Sequence, residues 1–250
     1  MSAADQVEVE VHPDAATLAT SVAGEVVRRI EDAQARGEVP QVGLTGGSIA
    51  VRIHAEIGRI GPESEVDWSQ VVFWWGDERY VDRDSDDRNA RSARSGFLDA
   101  LGVDPARVHE APALDSGLSL DDAAAAYGQE VREHGAGAFE VLMLGVGPDG
   151  HVASLFPGHP ALAVDDAVAV GVPDSPKPPP GRITLTFPAL RRSRAVFFVV
   201  SGEEKAEAVA RALAPDGTVE ETPARGVVDP GADSPTQAIW FLDRPAASLL

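Results

Sequence analysis

The segment Val71-Val72-Phe73-Trp74-Trp75 has no polar position on either face. A strand of that kind is stable only where both sides are covered, inside a sheet with helices packed on each face. Val42 to Thr45, Phe139 to Leu144, Ala195 to Val200 and Ala238 to Leu242 are further, mainly apolar runs of strand length. Helical patterns lie between them. Pro13 and Asp14 open one that runs to Arg36, with Leu18, Val22, Val26 and Ile30 at three- to four-residue spacing and Gly37 where a cap belongs. Others span Ile49 to Ile60, Asn89 to Leu101 (closed by Gly102), Leu120 to Arg132 and Glu203 to Leu213. Val7 to Val11 alternates apolar and acidic residues like an edge strand, Ala167 to Val172 reads as a further strand, and Asp243 with Pro245 can start a short last helix. Asp229 to Thr236 reads as a surface loop. The expected fold class is α/β: an open, mostly parallel, doubly wound, Rossmann-like sheet flanked by helices, as a single domain over residues 1–250.

Charge and composition remove several functions. The chain carries 21 basic and 40 acidic residues, a net of −19. That field repels nucleic acid and acidic membrane surfaces, and no Lys/Arg-rich run offsets it. A small anionic ligand then needs a locally basic pocket. With no cysteine, disulfides, thiolate catalysis and zinc-thiolate sites are excluded. Met1 to Glu10 has neither a basic start nor an apolar run, so no signal peptide is expected, and no apolar stretch is long enough to span a membrane. A cytoplasmic location is the expectation.

In open sheets of this type, ligands bind beyond the carboxyl ends of the strands. The most unusual segments begin there. Thr45-Gly46-Gly47-Ser48 joins a strand to a helix. Its glycines allow close backbone approach, and the helix N-terminus suits a phosphate. Ser48 either caps the helix or bonds the phosphate, and the bland alternative is a tight turn. Gly76-Asp77-Glu78-Arg79 follows the two tryptophans. There Arg79 suits a phosphate or developing negative charge, or else forms a plain ion pair. Asp82, Asp84 and Asp86 fail as a calcium loop, because Asp87 and Ala93 stand where glycine and glutamate are needed. Gly145 to His151 follows another strand. A histidine is the usual proton acceptor near neutral pH, and Asp149, two residues earlier, is placed to orient it or the substrate. Ser175-Pro176-Lys177-Pro178-Pro179-Pro180-Gly181-Arg182 stiffens a loop around two cations.

Taken together these blocks resemble the 6-phosphogluconolactonase family. The resemblance rests on Trp75 to Arg79, on Leu144 to His151 with Ser154 to Pro160, and on Ser175 to Thr186. Thr45 to Ser48 and Trp240 to Asp243 extend it over essentially the whole chain. Thr45 and Ile49-Ala50 depart from the family's usual Ser and Thr-Pro. The resemblance implies a fold shared with glucosamine-6-phosphate deaminases. It also implies hydrolysis of 6-phospho-D-glucono-1,5-lactone to 6-phosphogluconate, the second step of the pentose phosphate pathway, without metal or cofactor.

The residues fit that chemistry. A lactone is a ring ester that water can attack directly, given a base, stabilisation of the carbonyl oxygen and an anchor for the phosphate. His151 is the expected base and Asp149 its orienting partner. Gly46, Gly47, Ser48, Asp77, Glu78, Arg79, Gly147, Gly150, Lys177 and Arg182 are the expected binding residues, with Arg79 also a candidate for the chemistry. A sugar-phosphate lactone is the expected partner, and the expected state is a monomer. The alternatives are a glucosamine-6-phosphate isomerase/deaminase, which would use Asp77 as carbon base but typically has Asn-Glu-Pro where Ser154 to Pro157 stands, and a non-catalytic sugar-phosphate-binding protein.

Overall fold

The computed structural model describes residues 7–228 and 236–250. In chain order its strands are β1 (Val7–His12), β2 (Gln41–Leu44), β3 (Val72–Trp75), β4 (Asp77–Arg79), β5 (Val141–Leu144), β6 (Ala169–Val172), β7 (Arg182–Leu185), β8 (Ala195–Val200) and β9 (Gln237–Asp243). Its α-helices are α1 (Ala15–Ala35), α2 (Ser48–Ile60), α3 (Asn89–Ala93), α4 (Leu120–His134), α5 (Phe187–Leu190) and α6 (Ala206–Leu213).

Six strands form one parallel sheet in the order β1-β9-β8-β5-β2-β3. The period of two splits each strand between two cores. Phe197 joins the core that holds Leu18, Val22, Ile30 and Ile53 of α1 and α2. Its neighbour Phe198 joins the core on the other face, with Tyr127 of α4 and Val209 of α6. Both rings are fully buried, so truncating either to alanine would cost about 3–5 kcal/mol. Burial on both faces is the physical content of the apolar strand pattern. β1 lies at the sheet's edge, as its alternation implies. Asp14 caps α1 by accepting from Thr17 N at 2.8 Å, and Gly37 takes φ 75° just past its end.

From β2 the chain crosses to β3 on one side and later returns to β5 on the other. The order therefore reverses between β2 and β5, which opens a crevice beyond their carboxyl ends.

Four expectations need correction. Ala167 to Val172 contributes β6, which lies outside the parallel sheet in an antiparallel one ordered β4-β7-β6. Asp77 to Arg79, read as the charged segment that follows β3, is its second strand, and Arg182 to Leu185, at the end of the proline segment, is its third, registered Asp77 opposite Thr184 and Arg79 opposite Arg182. A strand as short and fully charged as β4 shows no readable alternation, and cross-strand pairing with β7 holds it. Asn89 to Leu101 is not one α-helix, because α3 widens into a π turn at Arg94–Leu98. No helix follows Pro245: the segment forms turns, and the Asp243 carboxylate accepts from Gly202 N and Ala246 N, tying the strand ends together. The expected loop at Asp229 to Thr236 lies outside the described residues except for Thr236.

Candidate active site

Two loops meet at the crevice. After β2, Gly47 takes φ 96° and occupies the cap position of α2, leaving Ser48 as an exposed first helical residue whose side chain caps nothing. The capping role considered for Ser48 therefore does not hold, and Ser48 lines the crevice together with Gly46, Gly47 and Ile49. Gly46 is required by contact. A Cβ there would come 1.8 Å from Oδ1 of buried Asn89.

After β5 the chain folds back on itself. Gly147 N donates to His151 O and Gly150 N donates to Gly147 O, both at 2.9 Å. Gly150 takes φ 92° and packs against Thr222. This turn brings Asp149 Oδ1 to 2.6 Å from His151 Nδ1. Burial opposes ionisation of Asp149, but the hydrogen bond and charge of His151, with the charge of Lys177, hold its carboxyl at about 2. An ionised Asp149 fixes the proton on Nδ1 and leaves Nε2 with its lone pair free.

The cavity between the loops measures about 290 Å³ and is lined by Gly46, Gly47, Ser48, Gly147 and His151 from the two loops. Asp77 and Arg79 of β4, with Lys177 and Arg182, complete the wall from the antiparallel sheet and the proline loop. Arg182 donates through Nε to Pro179 O at 2.8 Å and through Nη2 to Lys177 O and Pro178 O, so it shapes the loop as well as the wall. Burial lowers its pKa and the nearby charge of Asp77 opposes that.

Three expected residues do not line the cavity: Asp149, which meets it only through His151, and Glu78 and Gly150. The buried Glu78 carboxylate accepts from the N–H groups of Arg79, Asn89 and Ala90 and sits 3.9 Å from buried Arg88, so it anchors α3. Burial raises its pKa despite Arg88. Gly150 serves the turn and also contributes no wall. His159, the second histidine beyond this turn, bonds Asp174 and accepts from Ala161 N.

The sequence reading missed Lys205 and Asn89, which both line the cavity. Lys205 follows Gly202 just before α6 and is half-buried. Burial, then the charge of Lys177, lowers its pKa. Four cations (Arg79, Lys177, Arg182, Lys205) therefore face two carboxylates (Asp77, Glu204) across the wall, a net positive pocket in a chain of net −19. Among the described residues, no three His, Asp or Glu side chains are grouped to hold a metal ion, and no described helix is long and apolar enough to cross a membrane.

The family model for glucosamine-6-phosphate isomerases/6-phosphogluconolactonase matches residues 13–240. The chain belongs to that family. It is 40% identical to 6-phosphogluconolactonase of Streptomyces coelicolor, over 98% of this chain and 95% of the relative. It is 39% identical to that of Mycobacterium tuberculosis, over 97% and 98%. Among solved structures, 6-phosphogluconolactonase from Trypanosoma brucei superposes with TM-score 0.83 at 26% identity, covering 97% of this chain and 98% of that one. A monomeric glucosamine-6-phosphate deaminase shares the fold, with TM-score 0.77 at 18% identity.

Proposed function

We propose that this chain hydrolyses 6-phospho-D-glucono-1,5-lactone to 6-phosphogluconate, the second step of the oxidative pentose phosphate pathway. The observation that carries the reading is the 2.6 Å Asp149–His151 pair opening onto a cation-lined cavity. Relatives named 6-phosphogluconolactonase that match over nearly the whole of both chains support it.

His151 Nε2 takes a proton from water as the water oxygen attacks the lactone carbonyl carbon. Asp149 stabilises the imidazolium that forms. Collapse of the tetrahedral intermediate breaks the ring C–O bond, and the proton returns to the departing ring oxygen. The N-terminus of α2 with Ser48, Arg182 and Lys205 anchors the phosphate. Arg79 and Lys177 face the lactone end, where charge builds on the carbonyl oxygen. The influence of the Lys177 charge on Asp149 supports that reading of Lys177. Asp77 accepts from a sugar hydroxyl. The chain acts as one catalytic unit over residues 1–250, a cytoplasmic monomer that needs no metal or cofactor.

The test is a direct assay with freshly generated lactone, read as acid release above the spontaneous rate. Acceleration supports the reading. Ammonia release from glucosamine 6-phosphate, without lactone hydrolysis, would replace it with a deaminase.

A further inference from the structure

Behind the cavity wall, three buried side chains from distant parts of the chain form one knot. Ser154 is fully buried, three residues beyond His151. Its Oγ donates to Asp77 Oδ2 at 2.6 Å. Its backbone N–H donates to Thr184 Oγ1 at 3.2 Å. Thr184, also fully buried, is the cross-strand neighbour of Asp77 in the β4–β7 pair. The Thr184 hydroxyl donates to Leu185 O, which leaves its lone pairs to receive Ser154. Among the described residues, Ser154 makes the one side-chain hydrogen bond to the Asp77 carboxylate. The backbone is bent to deliver that contact. Ala153 takes φ 48°, the left-handed region that a residue with a Cβ adopts at a cost of about 1 kcal/mol. Ala153 stands between His151, which faces the cavity, and Ser154, which faces away from it.

We propose that Ser154 is a positioning residue for the lactone hydrolysis described above, acting through Asp77. By holding one carboxylate oxygen, it presents the other to the substrate and keeps the carboxylate from swinging onto Arg182 and Arg79. Those guanidiniums then stay available to the anionic substrate. The inference rests on the proposed function. It is separable from it, because it concerns only how one residue's effect depends on another.

The experiment is a double-mutant cycle on the full chain, reading kcat and KM with 6-phosphogluconolactone and the dissociation constant of 6-phosphogluconate by calorimetry. Wild-type hydrolysis first establishes the reaction, and its absence would refute the proposed function alone. Ser154→Ala is expected to lower kcat/KM about tenfold in the wild-type background, an effect of one hydrogen bond to a charged group, and to weaken product binding. In the Asp77→Ala background, which removes the acceptor, the same substitution is expected to change kcat/KM less than about twofold. Ser154→Cys keeps the volume with a weaker donor and carries the same expectation should the alanine variant not fold. An equal loss in both backgrounds, or no loss in either, would overturn the proposal, since a merely structural serine would matter whatever stands at 77.

Discussion

Gly147 lies so close beneath His151 that a Cβ on it would come 2.0 Å from the ring's Nδ1 and 2.4 Å from Asp149 Oδ1. The pair occupies the space a side chain would need. Gly147→Ala should therefore displace the imidazole and lower kcat about 10²-fold, the effect of misplacing a reacting group by roughly an ångström. Steady-state kinetics alongside circular dichroism would check this. A folded Gly147→Ala variant with full activity would contradict the geometry.

The pH profile follows from the same pair. Asp149 is held at about 2 by His151 and Lys177 against the opposing effect of burial. It stays ionised across the working range, so loss of activity on acidification belongs to the imidazole, whose protonation removes the base. The rate should fall on acidification, because a protonated base accepts no proton from water. A rate that stays flat as the solution is acidified, after correction for spontaneous hydrolysis, would exclude His151 as the base.

Lys205 is read as a phosphate anchor. Lys205→Ala should raise KM for the phosphorylated lactone roughly tenfold or more, the loss of one charge-assisted hydrogen bond. The same variant should be indistinguishable from wild type on unphosphorylated gluconolactone. A matching loss on both substrates would place Lys205 at the lactone end instead.

What was legible in the sequence follows the physics of each segment. Val72 to Trp75 and Ala195 to Val200 reveal themselves because burial on both faces leaves no polar position. The glycines around His151 are legible because a turn that tight demands them. β4 was not legible, since Asp77-Glu78-Arg79 has the composition of a loop and is held by partners remote in sequence. Glu78 looked like a site residue because sequence gives its charge and not its direction, and it points into the protein toward α3. Lys205 looks like any solvated charge at a helix start. Only the return of β8 beside β5 brings it into the cavity. Gly202-Glu203-Glu204-Lys205 carries no spacing that sets it apart.

His54 supplies a test of the scaffold that is independent of catalysis. It is fully buried against Phe97, and among the described residues neither ring nitrogen has a partner. Burial drives its pKa to about 4 from the ordinary 6.5. A depressed histidine is neutral in the folded chain and protonates first in the unfolded one. The stability it permits is intact above pH 6.5 and is lost as pH falls towards 4, by on the order of 3 kcal/mol. His54→Leu should flatten the acid dependence of Tm over that interval. Parallel Tm curves for variant and wild type would show that His54 does not titrate this way.

The central claim is that His151 activates water, and single-turnover and steady-state lactone hydrolysis by wild type and His151→Ala measures it most directly. With Asp149 ionised and the cation-lined cavity intact, the alanine variant should still bind 6-phosphogluconate with near wild-type affinity. Its kcat should be lower by about 10²–10⁴-fold, leaving decay near the spontaneous rate. Equal hydrolysis rates for the two proteins would contradict the account.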